Sequence, residues 1–380
     1  MDSTHLADRE LVLEFALQLR AMRILQICSA REIGGGERHL ADLANALARR
    51  GHEVFAALSP ASPVRAELRS LPSENIVELP IRNSLNLASA LKLSRLVREH
   101  QIEIVHAHVA RDYPLAALAT GRSQAQLVLT RHVLFPLNRI HKLTLRRTSR
   151  VIAVSQAVAE SLYTPSIFAP EKIVTIHNGI DVDRFAGTAK DNATDRRLRV
   201  GMVGHIAPIK GQEDFVRAAA IMRAHRDDVE FIIAGADKSH SRENRVALEK
   251  LISDLKMEHA IKLIGWVDDV ASLLSTLDLF VSPARSEPFG LSIVEAMAAG
   301  VPVVATASEG AREIIEDDQT GRLVPVGDVE AMATAIVEVL NDRTVRKRLA
   351  DNALANVQEK FSLDRMVELT IQVYAAALAG

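Results

Sequence analysis

Glu287 and Glu295, with seven residues between them, are the two carboxylates whose setting most directly suggests chemistry. A strand over 279–281 is expected to run into a Pro-containing turn, followed by a helix that begins near Gly290, stops at Gly300 and is barred from continuing by Pro302. The first amides of such a helix have no intrahelical partners and lie at the positive end of its dipole, so a phosphate would sit well in the turn. Glu295 is the only ionisable group among Leu291, Ile293, Val294, Ala296, Met297, Ala298 and Ala299. A helix apolar on all sides is usually buried, and a lone buried carboxylate is costly unless hydrogen-bonded. Sugar hydroxyls are donors of the required kind; backbone amides are the structural alternative.

Other groups with chemical potential follow expected strands. His106 and His108 end a strand that starts at Ile102, so both imidazoles share a face while Ala107 points the other way. A metal pair is disfavoured, because no Cys, Asp or Glu lies close by in sequence to complete a ligand set. Two histidines merely satisfied at a strand end are the structural alternative. Gly34, Gly35 and Gly36 follow the first strand and open a helix, which lets a ligand approach the backbone and favours anions, although such triplets are often plain turns. The pattern is not Gly-x-Gly-x-x-Gly, and the second strand ends at Leu58, Ser59 and Pro60 with no acid for a ribose, which disfavours a nicotinamide or flavin site. Lys210 follows the first strand of the second half, with an ordinary solvated lysine as its alternative.

The elements that must position these residues alternate. Apolar strand runs at 24–28, 54–58, 102–106, 126–129, 151–154 and 172–176 are mostly separated by helical segments, such as one from about Glu37 to Arg50 closed by Gly51. After a polar stretch at 187–197 the alternation resumes with runs at 199–203, 230–234, 261–264, 279–281, 301–304 and 323–326. Alternation of this kind predicts α/β architecture: two doubly wound parallel sheets with helices on both faces. A length of 380 residues also exceeds what one core accommodates. Ligands of open parallel sheets bind beyond the carboxyl ends of the strands, where every residue singled out above lies.

The formal net charge of −2 and the scarcity of aromatics give no sign of nucleic-acid binding. Cys28, the single cysteine, excludes an internal disulfide and fits a reducing compartment. No apolar run reaches bilayer length, and the N-terminus lacks a basic region followed by an apolar core and a cleavage site. A cytoplasmic protein is expected, peripheral to the inner face of the cytoplasmic membrane if it meets a lipid surface. Residues 126–154 contain Arg131, Arg139, Lys142, Arg146, Arg147 and Arg150 and no acid, interleaved with Leu134, Phe135, Leu137, Ile140, Leu143 and Leu145. A basic face with apolar neighbours, from Arg131 to Arg150, suits anionic lipid headgroups; a solvated face or a site for an anionic acceptor is the alternative.

The Glu287 and Glu295 spacing, with Phe289, Gly290 and Leu291 after the first acid, resembles the E-x7-E signature of retaining nucleotide-sugar glycosyltransferases, family 4 in particular. Val301, Pro302, Val303 and Val304 and the run 309–315 strengthen the match, and the resemblance covers the chain from Met22 onward. It implies two Rossmann-like domains facing a central cleft, the GT-B fold. The corresponding division is an N-terminal extension at 1–21, an acceptor-side domain at 22–186, a nucleotide-sugar domain at 198–360, and a last helix within 361–380 that packs back on the first domain.

The resemblance also implies roles. Glu287, His108 and Lys210 would be catalytic, while Gly35, Gly36, His205, Lys210, Phe289, Gly290, Leu291 and Glu295 would hold the donor. His205 departs from the pattern, because the family usually places Arg there; a neutral imidazole offers one donor where guanidinium offers a planar fork. Asp181, Val182 and Asp183 imitate a metal motif of another architecture but follow Asn178 and Gly179 as a linker turn, so no metal or other cofactor is expected. The implied reaction moves a hexose-type sugar from a nucleotide-sugar to a cell-envelope glycan or lipid-linked acceptor. A sugar-nucleotide epimerase on the same scaffold and a binding or scaffold protein are the alternatives.

Overall fold

The computed structural model describes residues 20–80, 87–121, 123–139, 141–164, 166–186, 197–224 and 226–380. The expectations for residues 1–19, for Ile140 and for 187–196 lie outside the described residues. The chain divides into two compact units, one of residues up to Gly179 plus Leu363–Gly380, the other Ile180–Ser362.

The first unit carries β1 (Arg23–Cys28), β2 (Glu53–Leu58), β3 (Ile76–Glu78), β4 (Ile104–Ala107), β5 (Gln126–Arg131), β6 (Thr148–Ala153) and β7 (Ile173–Thr175). They form one sheet in the order β3-β2-β1-β4-β5-β6-β7, with neighbouring strands paired in parallel. The short edge strand β3 has no counterpart in the sequence reading: three residues, none fully buried, give no periodic signal. Helix Gly35–Arg49 shows why its segment winds as it does. Glu37 reaches back to accept from the Gly34 amide at 2.9 Å, and Leu40, Leu43, Ala44 and Leu47 fall on one buried stripe. The last helix, Leu363–Ala379, contributes Met366, Val367 and Tyr374 to the same core as Leu40 and Leu43.

The second unit carries β8 (Leu198–Val203), β9 (Val229–Ala234), β10 (Ile261–Gly265), β11 (Leu279–Ser282), β12 (Val303–Thr306) and β13 (Arg322–Val324), in the sheet order β10-β9-β8-β11-β12-β13. These pairings are parallel as well. Val200, Met202, Phe215, Phe231, Val281 and Ile336 sit in its core. Strands buried on both faces read as continuous apolar runs, which is why nearly all of them were visible in the sequence. The fold class is therefore as expected: two α/β units, each a parallel sheet with helices.

Each sheet has one point where the winding reverses, between β1 and β4 in the first and between β8 and β11 in the second. Loops leaving two neighbouring strands in opposite directions open a crevice there, the usual ligand position of such sheets.

Candidate functional site

In the second unit, the loops after β8 and β11 meet at the reversal point. Residues Pro208–Lys210 form a single 3-10 turn, closed by Gly211 at φ +70, and helix Gln212–Arg223 follows. A Cβ on Gly211 would stand 2.0 Å from the Pro283 carbonyl oxygen, so only glycine lets the Lys210 turn lie against the loop after β11. Lys210 Nζ then reaches Glu287 Oε2 at 2.5 Å, with side-chain exposures of 21 % and 14 %. Arg285, in the loop after β11, and Asp214, in helix Gln212–Arg223, form a bidentate pair at 3.0 and 3.1 Å that ties loop to helix.

The Glu287 loop is pinned from its other side. Its amide donates to Glu309 Oε2 at 3.2 Å and its carbonyl accepts from the Gly310 amide at 2.9 Å. Gly310 lies so close that a Cβ there would come within 2.0 Å of the Phe289 carbonyl. Phe289 is buried edge-on against Phe361, with ring centroids 5.8 Å apart. Gly290 precedes helix Leu291–Ala298, whose first residue is half-buried. Glu295 is half-buried rather than buried, one turn into that helix. The helix thus presents its amino end beside the Lys210 and Glu287 pair, a setting that favours an anion.

His205 lies at the same strand end but exposes its ring, and its carbonyl accepts from Gln212 Nε2 at 2.9 Å. Its residual burial and the neighbouring Lys210 ammonium hold its pKa below the ordinary value. It is therefore neutral at pH 7 and adds no cation to the one Lys210 supplies.

In the first unit, β1, β4 and β5 are consecutive in the sheet, and their carboxyl ends bring four histidines together. Both His106 and His108 are buried, with ring centroids 4.1 Å apart, as their shared face predicts. His106 is fully engaged: its Nδ1 meets the Tyr374 hydroxyl and its Nε2 the Thr130 hydroxyl, each at 2.7 Å. His108 Nε2 is 2.7 Å from Gln26 Oε1, which can only accept, so the proton sits on Nε2. Gln26 Nε2 in turn donates to Tyr374 at 3.3 Å. His39 stands 5.6 Å from His108, and His132 stands 4.9 Å from His39, measured between ring centroids. Burial is the chief cause that lowers His39 to about 4 and His106, His108 and His132 well below the usual range. All four are neutral imidazoles at pH 7, so His108 has hydrogen bonding to offer more than strong basicity. Gly36 packs against the His132 ring, while Gly35 is exposed at the helix start.

The sequence reading thus had Lys210, Glu287, Phe289, Gly290, Leu291 and Glu295 gathered in one unit, and His108 and Gly36 in the other. It singled out none of Gln26, His39, His132 or Tyr374 as site residues. Their convergence depends on strand order, which periodicity does not reveal; of the four, only His132 lies just beyond a strand end, where position alone offered a signal.

Comparison with known proteins matches residues 33–184 to the family model described as Glycosyltransferase Family 4 and residues 185–355 to that of Glycosyl transferases group 1. The chain is 28% identical to a lipopolysaccharide core biosynthesis glycosyltransferase of Rhizobium meliloti, over 90% of this chain and 96% of the relative. It is 30% identical to the phosphatidyl-myo-inositol mannosyltransferase of Mycolicibacterium smegmatis, over 86% of each. Among solved structures, Anabaena HepE in complex with UDP and glucose superposes with a TM-score of 0.81 at 23% identity, covering 92% of this chain and 98% of that one. The chain belongs to the family 4-type glycosyltransferases and has the GT-B fold.

Proposed function

We propose that this glycosyltransferase moves a hexose from a nucleotide-sugar to a cell-envelope or lipid-linked acceptor, with retention of configuration and without a metal ion. The observation that carries the donor side is the Lys210 and Glu287 pair, held by two strand-end loops beside the amino end of helix Leu291–Ala298. Lys210 has further N–H donors for diphosphate oxygens, and its charge offsets the negative charge that grows on the leaving nucleotide. Glu295, one turn in, accepts from ribose or sugar hydroxyls, while Phe289, Gly290 and Leu291 shape the backbone around them. By family resemblance, His108 and the Gly35 and Gly36 loop border the sugar and acceptor.

Front-face displacement suits this set. The bond from the anomeric carbon to the phosphate oxygen breaks, the acceptor oxygen bonds to the same face, and the acceptor proton passes to the departing phosphate. His205 leaves Lys210 as the principal cation, so donor binding leans on the helix amides more than in relatives with Arg.

The names of the relatives support an envelope or lipid-linked acceptor. The apolar and basic surface after β5 supports docking on anionic lipid: Arg139, Lys142 and Arg146 are exposed, with Phe135 73% and Leu143 74% exposed among them. Arg131 and Arg150, less exposed, donate to the backbone carbonyls of Phe135, Ser149 and Ala376, and the exposed Arg147 donates to that of Gly121. No helix among the described residues is long and apolar enough to cross a membrane.

A panel of UDP-, GDP- and ADP-linked sugars tests the reading. Nucleotide released only with acceptor supports it, an epimer formed without acceptor replaces it with an epimerase, and binding without either product points to a scaffold.

A further inference from the structure

The histidine cluster of the first unit contains more unsatisfied nitrogen than a hydrogen-bonded core tolerates. His39 Nδ1 and Nε2, His108 Nδ1 and His132 Nε2 are all buried without a hydrogen-bond partner. Asn178 beside His39 raises its basicity a little but makes no ordinary hydrogen bond to either nitrogen, and its own Oδ1 is likewise buried and unpartnered. Buried polar atoms are nearly always paired, so several orphaned lone pairs facing one another call for an occupant.

We infer that His39, His108 and His132 together bind one transition-metal dication, of the zinc, cobalt or nickel kind. One ligand nitrogen from each lies within 4.8 Å of the others. Metal–nitrogen bonds of about 2.0–2.1 Å set ligand nitrogens about 3.4 Å apart in a tetrahedron, so small side-chain rotations close the set. Three neutral imidazoles with no carboxylate or thiolate suit these ions and disfavour magnesium or calcium, which take oxygen. The outer contact that metal-bound histidines usually have is already present: His108 donates its Nε2 proton to Gln26 Oε1 at 2.7 Å, which fixes the ring and leaves the buried, unpartnered Nδ1 as its ligand nitrogen. His106 is excluded, since both its nitrogens are engaged.

An ion there occupies His108 Nδ1. Given the role proposed above for His108, the metal inhibits transfer rather than assisting it.

The test uses the untagged full-length protein freed of metal by a chelator. Titration with Co2+ should bring up visible bands of low-symmetry cobalt at one equivalent, and Zn2+ should displace them. His39→Gln and His132→Gln should each weaken Zn2+ at least as much as loss of an outer ligand contact does, about 10–100-fold, in competition with a chromophoric indicator. Circular dichroism melts in chelator establish that each variant is folded; should one fail, the other carries the test. Full-affinity binding by both variants, or no saturable cobalt band in the wild type, overturns the site. Zn2+ should also inhibit the wild type and spare His39→Gln, with chelator restoring activity. Because the titration needs no donor or acceptor, failure of the proposed reaction leaves it standing.

Discussion

Lys210→Ala should cut kcat and kcat/KM together by about 10²–10³. A charge-assisted hydrogen bond contributes about 1.5–3 kcal/mol, which at 1.36 kcal/mol per decade is about 10–150-fold. The substitution also bares the Glu287 carboxylate that Lys210 neutralises at 2.5 Å. At an effective dielectric of about 20, that carboxylate and a diphosphate charge roughly 6 Å away repel by about 3 kcal/mol, an upper bound because both side chains retain some exposure. Repulsion of this size supplies the remainder of the loss. The two terms are separable: removing both charges in Lys210→Ala with Glu287→Gln should cost less than the sum of the single substitutions. Steady-state kinetics at saturating donor and acceptor, with melting temperatures as a control, provides the cycle. Additive losses, or an effect confined to KM, would refute the reasoning, since charge on the leaving group grows toward the transition state.

Glu295→Ala should weaken donor binding by about 1.5–3 kcal/mol with the fold intact, and unchanged affinity by calorimetry would remove Glu295 from the donor site. Lys142→Glu with Arg146→Glu should abolish flotation with anionic vesicles, and wild-type binding should fade with salt, as screening shortens to about 8 Å at physiological ionic strength; binding indifferent to both rejects the docking surface. His52, buried, accepts from the Met22 amide at 3.1 Å and has a pKa depressed chiefly by burial. The unfolded chain therefore protonates there first, so its share of stability is present above about pH 6.5 and is lost as pH falls below that value. Urea midpoints of the wild type should drop more steeply toward acid than those of His52→Gln, and parallel curves would contradict this.

The sequence by itself determined nearly all of the strands and the Glu287 and Glu295 motif. Strands buried on both faces need continuous apolar runs, and those runs mark β1, β2 and β8 directly. Glu287 and Glu295 were legible because one loop and one helix carry them, so local spacing fixes their relation. The structure adds to the reading of some residues: Glu295 is only half-buried, and Arg131, Arg147 and Arg150 each donate to backbone carbonyls. Two results required tertiary structure. Lys210 and Glu287 lie 77 residues apart and meet only because β8 and β11 are neighbours in the sheet. His39, His108 and His132 converge for the same reason, around β1, β4 and β5. A residue's period reports which face it occupies, but strand order is set by which helices and sheets pack together, and that choice is made by the whole core.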